Sequence, residues 1–134
     1  MAGYSQTPLV KKLGIKPGIR LAVVDPPGAY HELVEGLPAD CVFLDLASGP
    51  LDFIHVFVQQ EQRLRALFPT LKANLSSSGM LWVSWPKRAS GIPTGLNENL
   101  IREIGLQNGL VDVKVCAVNE QWSGLKFVYR LKDR

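Results

Sequence analysis

The feature that most limits what this chain can fold into is an alternation. Short apolar segments of strand character are separated by segments of helical periodicity until two strand segments follow one another at the end. Ile19 to Val24, Val42 to Leu46, Asp52 to Val58 and Met80 to Trp85 read as strands. A short helix fits residues 29 to 36, after the Asp25-Pro26-Pro27-Gly28 stop. Leu64, Leu67, Phe68, Leu71 and Leu75 share one face of a longer helix, with Pro69 as a kink and Ser76-Ser77-Ser78-Gly79 as its terminator. Thr94 caps a third helix carrying Leu96, Leu100, Ile101 and Ile104, which Gly105 closes. Leu110 to Val118 and Gly124 to Leu131 then form a hairpin over Asn119-Glu120-Gln121-Trp122-Ser123. This order predicts an α/β fold: a three-layer, Rossmann-like, mostly parallel sheet of about six strands, with a C-terminal antiparallel β-hairpin. One link strains the scheme, because a parallel crossover between Leu46 and Asp52 has too few residues for a helix. Either the second strand pairs antiparallel, or its connection passes under the sheet without a helix.

With 134 residues and 46% apolar content, the chain suffices for one hydrophobic core, so 1–134 reads as a single domain with residues 1–18 as an N-terminal arm. The start has no charged segment leading into an apolar one, and no apolar run approaches the roughly 20 residues of a membrane helix. A cytoplasmic protein with no membrane partner is the expectation. Cys41 and Cys116 lie in apolar segments without metal-ligand spacing and read as reduced core residues, with no metal site. The net charge of +3 is spread along the chain without a long basic run, so nucleic acid is not the expected partner.

No phosphate loop, G-x-G-x-x-G, nucleophile elbow or H-E-x-x-H occurs, so no catalytic residue and no cofactor is assigned from motifs. Geometry supplies the remaining guide, since ligands of open parallel sheets bind outside the carboxyl ends of the strands. The residues expected there are Asp25, Asp45, Trp85, Lys87, Arg88, Glu120, Trp122 and Ser123. If they converge, two indoles, two cations and several carboxylates suit a small anionic or aromatic ligand. The bland alternatives are rim packing for the two tryptophans, a solvated turn for Lys87-Arg88, and an Asx turn for Asp25. His55, in phase with Phe53 and Phe57, reads as a hydrogen-bonded core residue. His31 and its neighbour Tyr30 stand nearer the ligand edge, where acid–base work is the alternative to structure.

Two resemblances add to this. Lys12-Leu13-Gly14-Ile15-Lys16-Pro17-Gly18, Gly79-Met80-Leu81-Trp82-Val83-Ser84-Trp85-Pro86-Lys87, and Gly109-Leu110-Val111-Asp112 through Trp122-Ser123-Gly124 resemble an uncharacterised bacterial family, domain of unknown function 3052. That resemblance implies a shared fold and transfers no activity. The strand ending in Phe57-Val58, the amphipathic helix, Leu75 through Val83, the next helix and the hairpin are similar to the second half of an S-adenosylmethionine methyltransferase. At the place of that fold's first acidic residue and Gly-x-Gly turn, this chain has Asp25-Pro26-Pro27-Gly28-Ala29. Asp45 stands where the resemblance implies a ribose-binding carboxylate. Three functions follow: a ligand- or partner-binding module with no assignable catalysis; a divergent methyltransferase-like enzyme; or a protein- or nucleic-acid-interaction module using Lys11, Lys12, Lys16 and Arg20 of the basic arm. An open strand edge in the hairpin leaves a homodimer as a further expectation.

Overall fold

The computed structural model describes residues 7–134; the first six residues of the expected arm lie outside this range. The arm contains one helix, α1 (Leu9–Leu13), which ends on Gly14 in the left-handed conformation. The strands are β1 (Arg20–Val24), β2 (Val42–Phe43), β3 (Leu51–Phe57), β4 (Leu75–Pro86), β5 (Leu110–Ala117) and β6 (Trp122–Tyr129). Helices α2 (Tyr30–Leu33), α3 (Glu61–Ala73) and α4 (Glu98–Gln107) lie between them. The six strands form one sheet in the order β2-β1-β3-β4-β6-β5, parallel through β4 and antiparallel at β6 and β5. The α/β fold, the mostly parallel sheet and the terminal hairpin are therefore as the alternation predicted.

The strained link resolves in favour of a helix-free crossover. β2 pairs parallel to β1 and shrinks to two exposed residues, and only a 3-10 turn over Leu46–Ser48 separates it from β3. Leu44 and Leu46 pack against the core formed by α3 and α4, which places this connection on their side of the sheet. The route is tight: a Cβ on Gly49 would stand 2.6 Å from the Asn74 carbonyl oxygen.

Boundaries elsewhere moved for physical reasons. Pro69 sits inside α3 without ending it, and α3 stops at Asn74. The serine run does not terminate α3, because Leu75 through Gly79 belongs to β4, whose pairing with β3 resumes at Phe53 and Met80 after an irregularity. Asn97, not Thr94, caps α4: its side chain accepts from the Leu100 N–H. Gly105 does not close that helix but lies within it, and a Cβ there would fall 2.0 Å from the Phe127 ring. The hairpin loop is shorter than expected, since Trp122 and Ser123 are already in β6.

Each face of the sheet carries its own core. On one, Ile54, Val56, Leu81, Val83, Leu125 and Phe127 pack under Leu64, Phe68 and Leu71 of α3 and Ile101 and Ile104 of α4. On the other, Leu21, Phe53, Phe57, Trp82 and Trp122 meet Leu13, Ile15, Tyr30 and Val34. Among the described residues this second face is roofed by the two shortest helices and by loop residues such as Ile15, Leu37 and Ile92. Cys41 and Cys116 are free thiols, each partly buried rather than fully within a core.

Candidate functional site

The second face holds a polar chain inside an apolar core. His55 on β3 and Ser84 on β4 are both 0% exposed. The Tyr30 hydroxyl lies 2.7 Å from His55 Nδ1, and the Ser84 hydroxyl 2.7 Å from His55 Nε2. A neutral imidazole has one N–H and one lone-pair nitrogen, so each ring nitrogen has a partner in either tautomer. The ring also stacks on Phe57 at 4.3 Å. Burial lowers the His55 pKa to about 3 and pushes the Tyr30 phenol well above its ordinary value. The group is thus neutral at every ordinary pH. It joins β3, β4 and α2 internally, with His55 hydrogen-bonded in the core as its phase predicted. Ser84 was not singled out from sequence. Its signal is its alternation in β4 with apolar neighbours, which places a hydroxyl where only a partnered one is tolerated.

Outside this chain, at the carboxyl ends of β1 and β3, a cleft of about 390 Å³ is lined by Asp25, Pro26, Pro27, Phe57, Val58, Gln59, Gln60, Arg63 and Trp122. Its volume falls in the range of small-molecule sites. Asp25 is the only non-glycine residue with positive φ among the described residues, at 54°, a conformation aspartate tolerates better than most side chains. The turn aims its carboxylate at Arg63 of α3, 2.8 Å away. Both side chains are more than half exposed, so the pair adds little to stability. It sets an anion beside a cation at the mouth. Trp122 packs edge-on against Phe57, with ring centroids 5.4 Å apart, and is 4% exposed. Its indole N–H is the one buried side-chain polar atom without a hydrogen-bond partner among the described residues.

The sequence-derived edge residues do not form one site. Asp25 and Trp122 meet in this cleft. Trp85 points to the opposite face, where it is buried with the α3–α4 core and, with Arg88, lines a second hollow of about 430 Å³ that also includes Ile92 and Asn97. The Thr94 hydroxyl donates to the Gln59 carbonyl at 2.6 Å and so ties the loop between the two hollows. The Lys87 N–H donates to the Gln121 carbonyl, and Ser123 pairs with Trp85 across β4 and β6. Glu120 is exposed in the hairpin loop. Asp45 follows the outer strand β2 and is absent from the lining of the cleft, as is the exposed His31. The cause is pleating: residues that leave a sheet edge at different strand phases emerge on opposite faces. Missed from the sequence were Gln59 and Gln60, which follow β3 after Val58, and Arg63, in the first turn of α3; the carboxyl end of the third strand, absent from the sequence-derived set, was the signal that leads to them. Among the described residues no group of three metal-ligating side chains occurs, and no helix is long and apolar enough to cross a membrane.

The sheet order, its antiparallel end and a cleft at the carboxyl ends of the central strands define the class: a Rossmann-like α/β fold of the methyltransferase type. Solved structures that share it include an S-adenosylmethionine-dependent methyltransferase from Aquifex aeolicus, 14% identical, with a TM-score of 0.62 over 89% of this chain and 86% of that one. A precorrin-6y C5,15-methyltransferase from Geobacter metallireducens is 8% identical, with a TM-score of 0.61 over 91% and 86%. Magnesium protoporphyrin IX methyltransferase from Synechocystis, solved with bound S-adenosylmethionine, is 14% identical, with a TM-score of 0.59 over 91% and 74%. At such identities the likeness is one of fold. No family model and no curated protein matches the chain, so the resemblance to family 3052 gains no support there.

Proposed function

We propose that this chain is a divergent methyltransferase-like protein that holds an S-adenosyl ligand, or one of the same chemistry, in the cleft between β1, β3 and β6. The observation that carries the reading is the buried Trp122 N–H: the one unpartnered buried side-chain polar atom among the described residues belongs to a residue lining the cleft. A buried donor left unpaired costs about 1–3 kcal/mol; the atom is shielded in this structure, and a small turn of the indole on binding would bring it to a ligand acceptor and remove that cost. The adjacent Asp25 and Arg63 suit the ammonium and carboxylate of an amino-acid end, and Phe57 and Trp122 supply an apolar wall.

The residues fit this group through side chains rather than backbone. Pro26 and Pro27 contribute no N–H, and a Cβ on Gly28 would meet nothing within 4 Å, so no glycine-dependent cradle exists. When bound, such a cofactor supplies an electrophilic methyl group. The chain's own residues orient its charged end and exclude water from its apolar part. The fold likeness supports methyl transfer over a module with no catalysis. A second reading, binding without transfer, is favoured by the proline turn and by the single-turn length of α2.

Titration calorimetry with S-adenosylmethionine and S-adenosylhomocysteine tests the reading. Binding of either, weakened about fivefold by Trp122→Phe with unchanged folding, supports it, a neutral hydrogen bond being worth about 1 kcal/mol. No heat with either ligand overturns it. Binding of both without release of S-adenosylhomocysteine from S-adenosylmethionine, in the presence of small-molecule extract, selects the second reading.

A further inference from the structure

The second face of the sheet ends at β5, the strand at its outer edge, where Lys114 is exposed and Lys126 half-buried. Lys114 of β5 stands opposite Lys126 of β6, and the Lys114 ammonium donates to the Lys12 carbonyl at 3.3 Å. The charges of Lys12, Lys114 and Lys87 all act on the intervening Cys116. Lys114 and Lys126 therefore share one surface, with the end of α1 at Lys12 against it. No carboxylate answers them, since all five ion pairs among the described residues use arginine. Lys126 is held below its ordinary pKa by burial and by Lys114, which marks an arrangement that lacks a counter-charge. Val115, paired with Leu125 of the α3–α4 side, is 48% exposed at the same edge.

We infer that the β5 edge is a docking strand for an extended acidic segment of a partner protein, whose alternate side chains place carboxylates over Lys12, Lys114 and Lys126 and aliphatic groups beside Val115. Strand addition supplies backbone hydrogen bonds, and the alternation supplies selectivity. Neighbouring occupants fit less well. Antiparallel pairing with β5 of a second copy would merge two lysine clusters on the same face, opposite like charges being destabilising. Single-stranded nucleic acid requires exposed rings on which bases stack, and the tryptophans of this face, Trp82 and Trp122, are 0% and 4% exposed.

The test uses a fluorescein-labelled peptide of alternating glutamate and valine, a lysine–valine peptide, and an oligothymidylate of the same charge as the first. The full chain at low salt is expected to bind only the glutamate–valine peptide, with amide shifts confined to residues near 113–117 and 126. Lys114→Glu with Lys126→Gln is expected to weaken binding at least about tenfold while leaving the thermal unfolding midpoint and the affinity for S-adenosyl ligands unchanged. The inference is overturned by equal or tighter binding of the oligothymidylate, by peptide binding that ignores the lysine substitutions, by a self-association that occupies β5, or by no binding of the acidic peptide.

Discussion

A histidine buried neutral makes stability depend on pH with a sign fixed in advance. In the folded chain the His55 pKa is lowered to about 3; in the unfolded chain it returns to about 6.5. Between those values the unfolded state binds a proton that the folded state refuses, so stability is complete above about pH 6.5 and falls as pH drops toward 3. The slope approaches 1.4 kcal/mol per pH unit, and from pH 6 to pH 4.5 the loss attributable to His55 amounts to about 2 kcal/mol. His55→Gln keeps a polar group between Tyr30 and Ser84 but cannot be protonated. Urea unfolding of both proteins, followed by tryptophan fluorescence at pH 7, 6, 5 and 4.5, isolates the effect, because the carboxylates are common to both and cancel in the difference. The variant is expected to be less stable at pH 7, through imperfect hydrogen bonds, and to lose about 2 kcal/mol less than the parent between pH 6 and pH 4.5. Parallel curves for the two proteins would refute a buried, neutral His55 and with it the Tyr30–His55–Ser84 chain as the internal tie of this face.

Gly105→Ala should destabilise the fold by about 1–3 kcal/mol, although alanine is the better helix former, because its Cβ would fall 2.0 Å from a Phe127 ring that has no free space; thermal unfolding reads the sign directly. Asn97→Ala removes the acceptor for the Leu100 N–H and should cost about 1 kcal/mol, measured by urea unfolding. Arg63→Ala should change the thermal midpoint little, the Asp25 pair being exposed, yet weaken S-adenosyl ligands in calorimetry. Unchanged affinity would remove Arg63 from the proposed site.

The sequence by itself determined the layer order of this protein. Period-2 and period-3.6 patterns record which side of each element meets a core, so the six strands, the helix with Leu64, Phe68 and Leu71, and the antiparallel end were legible from single segments. His55 was legible too, because its phase with Phe53 and Phe57 places it among aromatic rings. Tertiary structure decided everything that depends on two segments at once. Whether β2 ran parallel rested on its pairing with β1, Arg20 opposite Val42 and Leu21 opposite Phe43, between residues 22 positions apart. That Asp25 and Trp122 share a cleft while Asp45 and Trp85 do not follows from strand order and pleat, which no local pattern contains. The grouping of Lys12 with Lys114 and Lys126 likewise draws on α1, β5 and β6. Local sequence sets which face of an element is apolar; only the packed sheet sets which polar residues, far apart along the chain, share a surface.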